Sequence, residues 1–193
     1  MTDRSLDAHY FEGIFAGDDD PWSLASSAYE AAKFAHTIDV LDDRRYASAL
    51  EIGCAHGVLT ERLAPLCEHL LSIDIAAGAI ERARVRCRDL PQVRFYQRAF
   101  PGETLEVTAL DLVLLSEVAY YWSDDDLSRA ASWLSARMVS GGRIVLVHWT
   151  GDTDYPQTGD GATAKLRAAL GAAITVECVQ RAEGYRLDRW ARV

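Results

Sequence analysis

The segment ALEIGCAHG, residues 49–57, is a short apolar run that ends in a glycine-containing loop. A run of this kind predicts a buried β-strand followed by a tight turn. Gly53 permits the turn, Ala55 keeps the loop slim, and Gly57 lets the following helix pack closely. The next apolar run predicts a second strand that ends at Asp74, 21 residues after Gly53. An acid at that distance from a glycine loop is typical of a site that hydrogen-bonds the ribose of a nucleoside.

The rest of the chain continues this alternation of strands and helices. Apolar runs predict further strands at 93–96, 110–115 and 143–147. Periodic apolar residues predict helices at 23–40, 58–67, 76–89, 124–138 and 162–169. The segments 173–179 and 185–191 flank a turn and predict a closing hairpin. The pattern therefore favours an α/β fold: a doubly wound, mostly parallel, seven-stranded Rossmann-like sheet with a C-terminal antiparallel hairpin and an N-terminal helical extension.

Length and charge limit the classes of protein that fit. The chain has 193 residues and a formal net charge of -9, which predicts one domain over 1–193, with an extension at 1–45 and an α/β core at 46–193. The acidic balance disfavours nucleic-acid binding, because phosphate contacts need clustered Lys and Arg. No apolar stretch is long enough to span a bilayer. The first residues lack a secretory pattern, so we expect a cytoplasmic protein.

The cysteines and the acidic run give no metal site. The four cysteines are scattered without a C-x-x-C pair or a His at ligand spacing, so thiols are favoured over disulfides and no structural zinc is expected. The acids at 18–20 are interpreted as a solvated loop ahead of a helix start at Pro21. Cys54 has no visible activating partner, so no nucleophilic role is assigned to it.

The glycine spacing separates two kinds of nucleotide site. A dinucleotide fingerprint is G-x-G-x-x-G, which places a pyrophosphate at a helix N-terminus. The pattern here is E-x-G-x-x-x-G with Glu51 in the strand, and an acid there repels a pyrophosphate but suits a cationic amino-acid group. Together with the hairpin, Ser116-Glu117 after the fourth strand and Gly141-Gly142 before the fifth, this pattern resembles class I S-adenosylmethionine-dependent methyltransferases.

A closer resemblance includes the variable ends of the chain. It rests on Tyr10-Phe11, Asp20-Pro21-Trp22, Tyr29-Glu30, Lys33, Leu115-Ser116-Glu117-Val118, Tyr120-Tyr121, His148-Trp149, Asp154-Tyr155-Pro156 and Gly159-Asp160. These segments resemble the nodulation-factor N-methyltransferases of the NodS family. The resemblance implies methyl transfer from S-adenosylmethionine, with S-adenosylhomocysteine as product. The implied acceptor is the amine of the non-reducing-end glucosamine in a de-N-acetylated chitooligosaccharide.

The resemblance also implies a set of residues that contact the cofactor. Gly53, Ala55 and Gly57 are expected under the methionine part, Asp74 at the ribose and Ile75 against the adenine. Many relatives have an acid after the third strand, where this chain has Ala99. Glu51, Ser116 and the backbone of Ala99 and Phe100 are the remaining candidates for contact with the cofactor. Trp22 and Tyr29 are expected to close over the cofactor as a lid.

The acceptor candidates follow the fourth and fifth strands. Glu117 is the first choice to orient the amine and receive a proton, and its alternative is a carboxylate that only bonds local backbone or the cofactor. His148 is a second catalytic candidate, against a structural histidine. Tyr121 is a third catalytic candidate, and Tyr120 is a candidate for binding the substrate. Both are expected to stack on a sugar or cap the methyl pocket; the alternative is that they are ordinary core or edge aromatics. Asp154, Tyr155 and Asp160 are expected to bind sugar hydroxyls, or to be solvated loop residues.

Three other functions fit parts of the pattern. The first is a methyltransferase that acts on another small amine or hydroxyl. The second is a nicotinamide oxidoreductase, which the glycine spacing and the lack of a substrate domain disfavour. The third is a cofactor-binding protein without turnover. The sequence predicts no oligomeric state.

Overall fold

The computed structural model describes residues 4–41, 43–103 and 105–193, and the chain folds into two compact units. The glycine-loop unit comprises residues 7–99, and the hairpin unit comprises residues 4–6 and 100–193. Asp42, which falls in the acidic stretch after the second helix, lies outside the described residues.

The glycine-loop unit contains three parallel strands and four helices among its described residues. Its elements are α1 (Ala8–Gly17), α2 (Ala28–Asp39), β1 (Ala49–Ile52), α3 (Val58–Leu63), β2 (Leu70–Asp74), α4 (Ala77–Arg86) and β3 (Val93–Gln97), with 3₁₀ turns at Pro21–Ser23 and Ala64–Leu66. The strand order is β3-β2-β1. In this register Glu51 pairs with Ser72, and Asp74 pairs with Gln97. The glycine loop and Asp74 therefore leave adjacent strands at the same edge.

The hairpin unit contains four strands and two helices among its described residues. Its elements are β4 (Leu110–Ser116), α5 (Asp124–Arg137), β5 (Met138–Trp149), α6 (Gly159–Leu170), β6 (Ile174–Ala182) and β7 (Tyr185–Arg192), with 3₁₀ turns at Ala119–Tyr121 and Gly171–Ala173. The strand order is β4-β5-β7-β6; β4 is parallel to β5, and β7 is antiparallel to both of its neighbours. Each unit thus combines strands and helices as the predicted α/β class requires, and the antiparallel hairpin lies at the C-terminal end of the hairpin unit.

The strands of the hairpin unit are buried because their apolar runs are continuous. Leu112 to Leu115 on β4 and Ile144 to Val147 on β5 are all 0% exposed. Such strands need cover on both faces. Leu127, Ala130 and Leu134 form the buried face of α5. This helix begins as predicted, since the Ser123 hydroxyl accepts the Asp126 N–H at 3.2 Å.

Several element boundaries differ from the prediction by a few residues; α3 ends at Leu63 and α6 begins at Gly159, for example, and three differences are larger. The helix expected from residue 23 begins at Ala28, because the Ser27 hydroxyl caps it by accepting the Tyr29 and Glu30 N–H groups. The helix α1 was not predicted. Gly141 lies inside β5 with φ 75° rather than in a turn before it, next to a register shift between Leu110 and Leu112 of β4.

Arginines on α4 hold neighbouring chain segments. Arg82 donates to the carbonyls of Phe15 and Asp18, both at 3.0 Å. Arg84 donates to the Phe95 carbonyl at 2.8 Å. These long side chains therefore fasten the N-terminal segment and β3 to α4.

Within the described ranges, no helix is long and apolar enough to cross a membrane. The same residues include no group of three or more His, Cys, Asp or Glu side chains that could hold a metal ion. All four cysteines, which the structure describes, carry thiols rather than disulfides. Burial raises the pKa of the Cys54 thiol well above its ordinary value, which disfavours a reactive thiolate.

Candidate cofactor and acceptor sites

The loop after β1 is shaped by three residues with left-handed backbone. Gly53, Ala55 and Gly57 have φ values of 80°, 47° and 82°. Non-glycine residues seldom adopt this region, so Ala55 is held there by its surroundings. Its N–H donates to Asp74 Oδ2 at 2.9 Å. The loop is therefore a turn whose shape depends on the acid at the end of the neighbouring strand.

Gly57 lies where a side chain has little room. A Cβ atom at this position would lie 3.1 Å from both the α-carbon and the β-carbon of Ala83 on α4. The close approach of the loop to α4 therefore requires glycine, as the sequence predicts.

We expect Gly57→Ala to lower the free energy of unfolding by about 2–3 kcal/mol, from the positive φ and the contact with Ala83 together. Gly141→Ala is the matched control, since Gly141 has φ 75° but nothing within 4 Å of the added Cβ; about 1 kcal/mol is expected there. Urea unfolding measures both. Equal losses in the two variants would show that the close approach to α4 contributes nothing.

Asp74 is a buried carboxylate held by backbone donors. Its Oδ1 accepts the Ala76 N–H at 2.9 Å, and its Oδ2 accepts the Ala55 N–H. Burial raises the pKa of Asp74 to about 6, although these N–H groups act in the opposite direction. The carboxylate is thus mostly ionised at pH 7. Each oxygen can accept more than one hydrogen bond, so the group can still accept one from a ribose hydroxyl.

Glu51 lies inside the glycine-loop unit and is 1% exposed. Its Oε2 accepts the Thr60 hydroxyl at 2.6 Å and the Ser72 hydroxyl at 2.7 Å. Burial raises the pKa of Glu51 to about 7; the two hydroxyls lower it, and the charge of Asp74 raises it further. Its contact with the cofactor stays a prediction.

The buried Glu51 predicts an unusual pH dependence of stability. Because its folded pKa of about 7 lies above its ordinary value of 4.5, its contribution is fully present below pH 4.5 and is lost as pH rises through 7. We expect Glu51→Gln to be more stable than the wild type at pH 8, by about 3 kcal/mol at most, and similar to it near pH 4.5. Urea unfolding at both pH values measures the difference.

The control for this prediction is Glu68→Gln, which changes an exposed carboxylate in the same unit. It should leave the pH dependence of unfolding as it is in the wild type. A Glu51→Gln variant that is less stable than the wild type at pH 8 would contradict the assignment of a destabilising buried charge.

The N-terminal segment reaches the glycine loop through Asp20. The Ala25 N–H donates to Asp20 Oδ1 at 3.0 Å, and the Ser26 hydroxyl donates to Oδ2 at 2.9 Å. Although burial acts in the other direction, these bonds hold the pKa of Asp20 below its ordinary value. Asp20 Oδ1 also lies 3.2 Å from Nε2 of His56, a buried loop residue. Asp20 thus organises its turn and contacts the loop, which is more than the solvated acid that the sequence suggested.

The two lid candidates lie on this same segment. Trp22 is 44% exposed and has φ 61°, and its ring packs edge-on against Phe15 at 5.8 Å. Tyr29 is 37% exposed at the start of α2, with the Lys33 ammonium 5.3 Å from its ring centre. Both present aromatic surface to solvent, and their action as a lid stays a prediction.

The remaining cofactor candidates follow β2, β3 and β4. Ile75 comes directly after Asp74, and its carbonyl accepts the Gln97 side-chain amide at 3.1 Å. Ala99 is partly buried after β3. The Phe100 ring packs in the hairpin unit against Trp122 and Trp133, at 5.5 and 5.1 Å. Ser116 ends β4 and is paired with Val147.

In the hairpin unit, Glu117 is fixed at the end of β4 in left-handed backbone, with φ 56°. Its Oε2 accepts the Tyr120 hydroxyl and the Trp149 N–H, both at 2.8 Å. Its own N–H donates to the Val147 carbonyl at 2.8 Å. The carboxylate therefore has a defined position, as an orienting group requires.

Three tyrosines and a histidine form an aromatic cluster beside Glu117. Tyr155 stacks on Tyr120 with centroids 5.4 Å apart and contacts Tyr121 at 4.7 Å. The Tyr120 ring also contacts His148 at 5.5 Å. Burial raises the pKa of both Tyr120 and Tyr121, so both phenols are neutral. The structure thus brings four acceptor candidates of the sequence together with Glu117.

His148 is completely buried, and its Nε2 accepts the Ala119 N–H at 3.1 Å. This hydrogen bond needs an unprotonated Nε2, so the lone pair that a general base would use is already occupied. The arrangement favours a structural role for His148 over proton transfer.

Asp160 and Asp154 differ in their surroundings. Asp160 accepts from Arg181 at 2.8 Å and from Arg186 at 2.5 Å. Arg181 lowers the pKa of Asp160, as does Arg186, while burial acts against them. Arg186 also binds the buried Asp188 at 2.7 Å. Asp160 is therefore part of an ion-pair network, whereas Asp154 is exposed.

Sequence reasoning missed four residues that shape these sites. Thr60 and Ser72 hold Glu51, Asp20 holds its turn, and Trp149 donates to Glu117. The strand register gives a signal for Ser72, since parallel neighbours that pair directly project to the same face. The others depend on contacts between segments that no local pattern reports.

The strand arrangement of the two units and the geometry of the glycine loop are those of the class I methyltransferases. The N-methyltransferase NodS from Bradyrhizobium japonicum WM9, solved in complex with S-adenosyl-L-homocysteine, superimposes with a TM-score of 0.79. The two chains are 25% identical, and the match covers 96% of this chain and 97% of the other. The predicted fold class is thereby confirmed.

Sequence comparison gives the particular family. Residues 15–146 match the family model described as nodulation protein S (NodS). Nodulation protein S from Rhizobium tropici is 32% identical over 169 residues, which are 86% of this chain and 69% of the relative. The protein of that name from Bradyrhizobium diazoefficiens is 40% identical over 111 residues, 55% of this chain. The chain spans about half of this second relative, 51%. The chain belongs to the NodS family, as the resemblance predicted.

Proposed function

We propose that this protein is an S-adenosylmethionine-dependent N-methyltransferase. Its acceptor is the amine of the non-reducing-end glucosamine in a de-N-acetylated chitooligosaccharide, an intermediate of nodulation-factor synthesis. The observation that carries the proposal is the Asp74 carboxylate, held at the left-handed glycine loop by the Ala55 and Ala76 N–H groups. Membership of the NodS family supports the choice of reaction.

The residues of the glycine-loop unit fit the cofactor. Asp74 is mostly ionised at neutral pH and can accept a further hydrogen bond from a ribose hydroxyl. Glu51, which with a pKa of about 7 is partly ionised at neutral pH, disfavours a pyrophosphate. The cofactor, when bound, supplies a methyl group on a positively charged sulfur. The chain itself binds and orients this group, and such positioning contributes roughly 7–11 kcal/mol to methyl transfer.

Glu117 is the residue proposed to act on the acceptor. An amine with a pKa of about 8 is partly neutral near pH 7, so a strong base is not required. The Glu117 carboxylate accepts a hydrogen bond from the amine and orients its lone pair. It would then take up the proton that the nitrogen loses once the methyl has passed from sulfur to nitrogen, with the methyl–sulfur bond broken and S-adenosylhomocysteine as the leaving group. Tyr120 and the Trp149 N–H hold the carboxylate in place for this step.

The surroundings of Glu117 suit a sugar. Tyr120 and Tyr121 are buried, contrary to a role in stacking on a sugar, whereas Tyr155 is half-buried beside them and Asp154 is exposed in the loop before α6. Asp160 lies in the first turn of α6 and not in the loop, and it holds Arg181 and Arg186, so in this proposal it does not contact sugar. We place the reaction in the cytoplasm, in a single domain whose first 45 residues cover the cofactor, without a nucleic-acid partner.

The test measures S-adenosylhomocysteine released from S-adenosylmethionine with two acceptors. One is a chitooligosaccharide deacetylated at its non-reducing end, and the matched control is the fully acetylated sugar. We expect release only with the deacetylated acceptor. Equal release with both sugars, or none with either while the cofactor binds, would contradict the proposed function.

A further inference from the structure

The indole of Trp149 has no role so far in the proposed reaction, in which only the main-chain N–H of this residue takes part. It is the last residue of β5 and is 40% exposed, whereas the neighbouring His148 is completely buried. Exposing an indole to water costs free energy. An exposed tryptophan beside a proposed acceptor site therefore suggests a ligand that covers it.

Two glycines make room for Trp149. A Cβ atom at Gly151 would lie 2.6 Å from both Cε2 and Cζ2 of the indole. One at Gly159 would overlap the Trp149 carbonyl oxygen. The indole thus lies directly against the backbone at Gly151, which leaves its exposed surface on the side away from that residue.

Trp149 is also tied to the carboxylate proposed to orient the amine. Its main-chain N–H donates to Glu117 Oε2 at 2.8 Å, and the same oxygen accepts the Tyr120 hydroxyl. The backbone of β5 on one side and Gly151 on the other therefore fix the indole at a set position relative to Glu117. A fixed aromatic surface loses little conformational entropy when a ligand binds.

We propose that the Trp149 indole is a stacking surface for a pyranose ring of the acceptor, and this assignment rests on the proposed function. A glucosamine ring presents C–H groups on its faces and hydroxyls at its edge. Its faces suit an indole, while its polar edge suits the exposed Asp154. Trp149 thereby selects an oligosaccharide amine over a small aliphatic amine.

The experiment compares three variants in a ligand-observed NMR titration with the deacetylated chitooligosaccharide. Trp149→Ala is expected to raise the Kd for the sugar about tenfold. Gly151→Ala keeps the indole but displaces it, because the new Cβ overlaps the ring, and should weaken binding in the same direction. Tyr96→Ala is the matched control, since Tyr96 is 44% exposed on β3, outside the proposed sites, and should bind the sugar as the wild type does.

Turnover assays on the same proteins separate this inference from the proposed function. If the wild type methylates the sugar while Trp149→Ala and Gly151→Ala bind it as well as Tyr96→Ala does, the stacking role is wrong and the function stands. If sugar binding depends on Trp149 but no methyl is transferred, the stacking role stands and the function is wrong. A wild type that binds no sugar overturns the stacking role.

Discussion

Replacement of Asp74 with alanine is expected to weaken S-adenosylmethionine binding roughly 100-fold, since hydrogen bonds to a charged group contribute about 1.5–3 kcal/mol. The substitution removes the acceptor for a ribose hydroxyl. It also removes the partner of the Ala55 N–H, which keeps Ala55 in left-handed backbone. Isothermal titration calorimetry with S-adenosylhomocysteine measures the loss.

Two further variants test whether the effect is specific. Asp74→Asn keeps the shape of the side chain and one oxygen, so a loss between those of the wild type and the alanine variant is expected. Asp89→Ala removes a carboxylate that is 88% exposed on the same unit and should leave affinity unchanged. Wild-type affinity in a folded Asp74→Ala protein would remove Asp74 from the site.

Glu117→Gln is expected to lower kcat roughly 100-fold, the lower end of the range for a positioned proton acceptor. The lower end applies because part of the acceptor amine is already neutral. Glutamine retains one oxygen to accept the Tyr120 hydroxyl and the Trp149 N–H, so the fold should persist. Steady-state kinetics with the deacetylated sugar measures the change, and the Kd for the cofactor should stay as in the wild type.

Glu183→Gln is the control for Glu117, since Glu183 is an exposed carboxylate in the β6–β7 turn of the same unit. We expect wild-type kinetics from it. Unchanged kcat in Glu117→Gln would remove that residue from the reaction, whereas a loss of cofactor affinity instead of kcat would assign it to the cofactor.

The sequence was sufficient to predict the parts of the fold that depend on local patterns. The run before Gly53 became β1, and the acid predicted to end the second strand ends β2. The Ser123 cap and its acidic first turn set the start of α5. In each case one short segment carries both the propensity and the signal that ends it, so no distant contact is needed to decide the outcome.

The boundaries that failed depend on contacts between distant segments. The turn at 20–27 is held by Asp20, whose carboxylate binds Ser26 and lies against His56. These bonds separate the turn from α2, and a periodicity of apolar residues does not report them. For the same reason α1, whose buried residues are Phe11 and Phe15, left too weak a pattern to be predicted.

Among the candidate site residues, some are likewise fixed by local sequence patterns and others by contacts with distant elements. Gly53, Gly57 and Asp74 could be placed from spacing, because the turn and the strand end fix them. The surroundings of His148 and Asp160 could not, since Ala119 and Arg186 approach them from other elements. An acceptor site assembled from several loops therefore needs the three-dimensional structure.

The position of the transferred methyl group tests the proposed N-methylation most directly. The protein is incubated with S-adenosylmethionine carrying a ¹³C-labelled methyl and a chitooligosaccharide deacetylated at its non-reducing end, and the product is analysed by NMR. N-methylation as proposed gives a ¹³C-methyl bonded to the amine nitrogen of the non-reducing-end glucosamine. A methyl on a hydroxyl oxygen, or no label in the sugar while the cofactor binds, would contradict it.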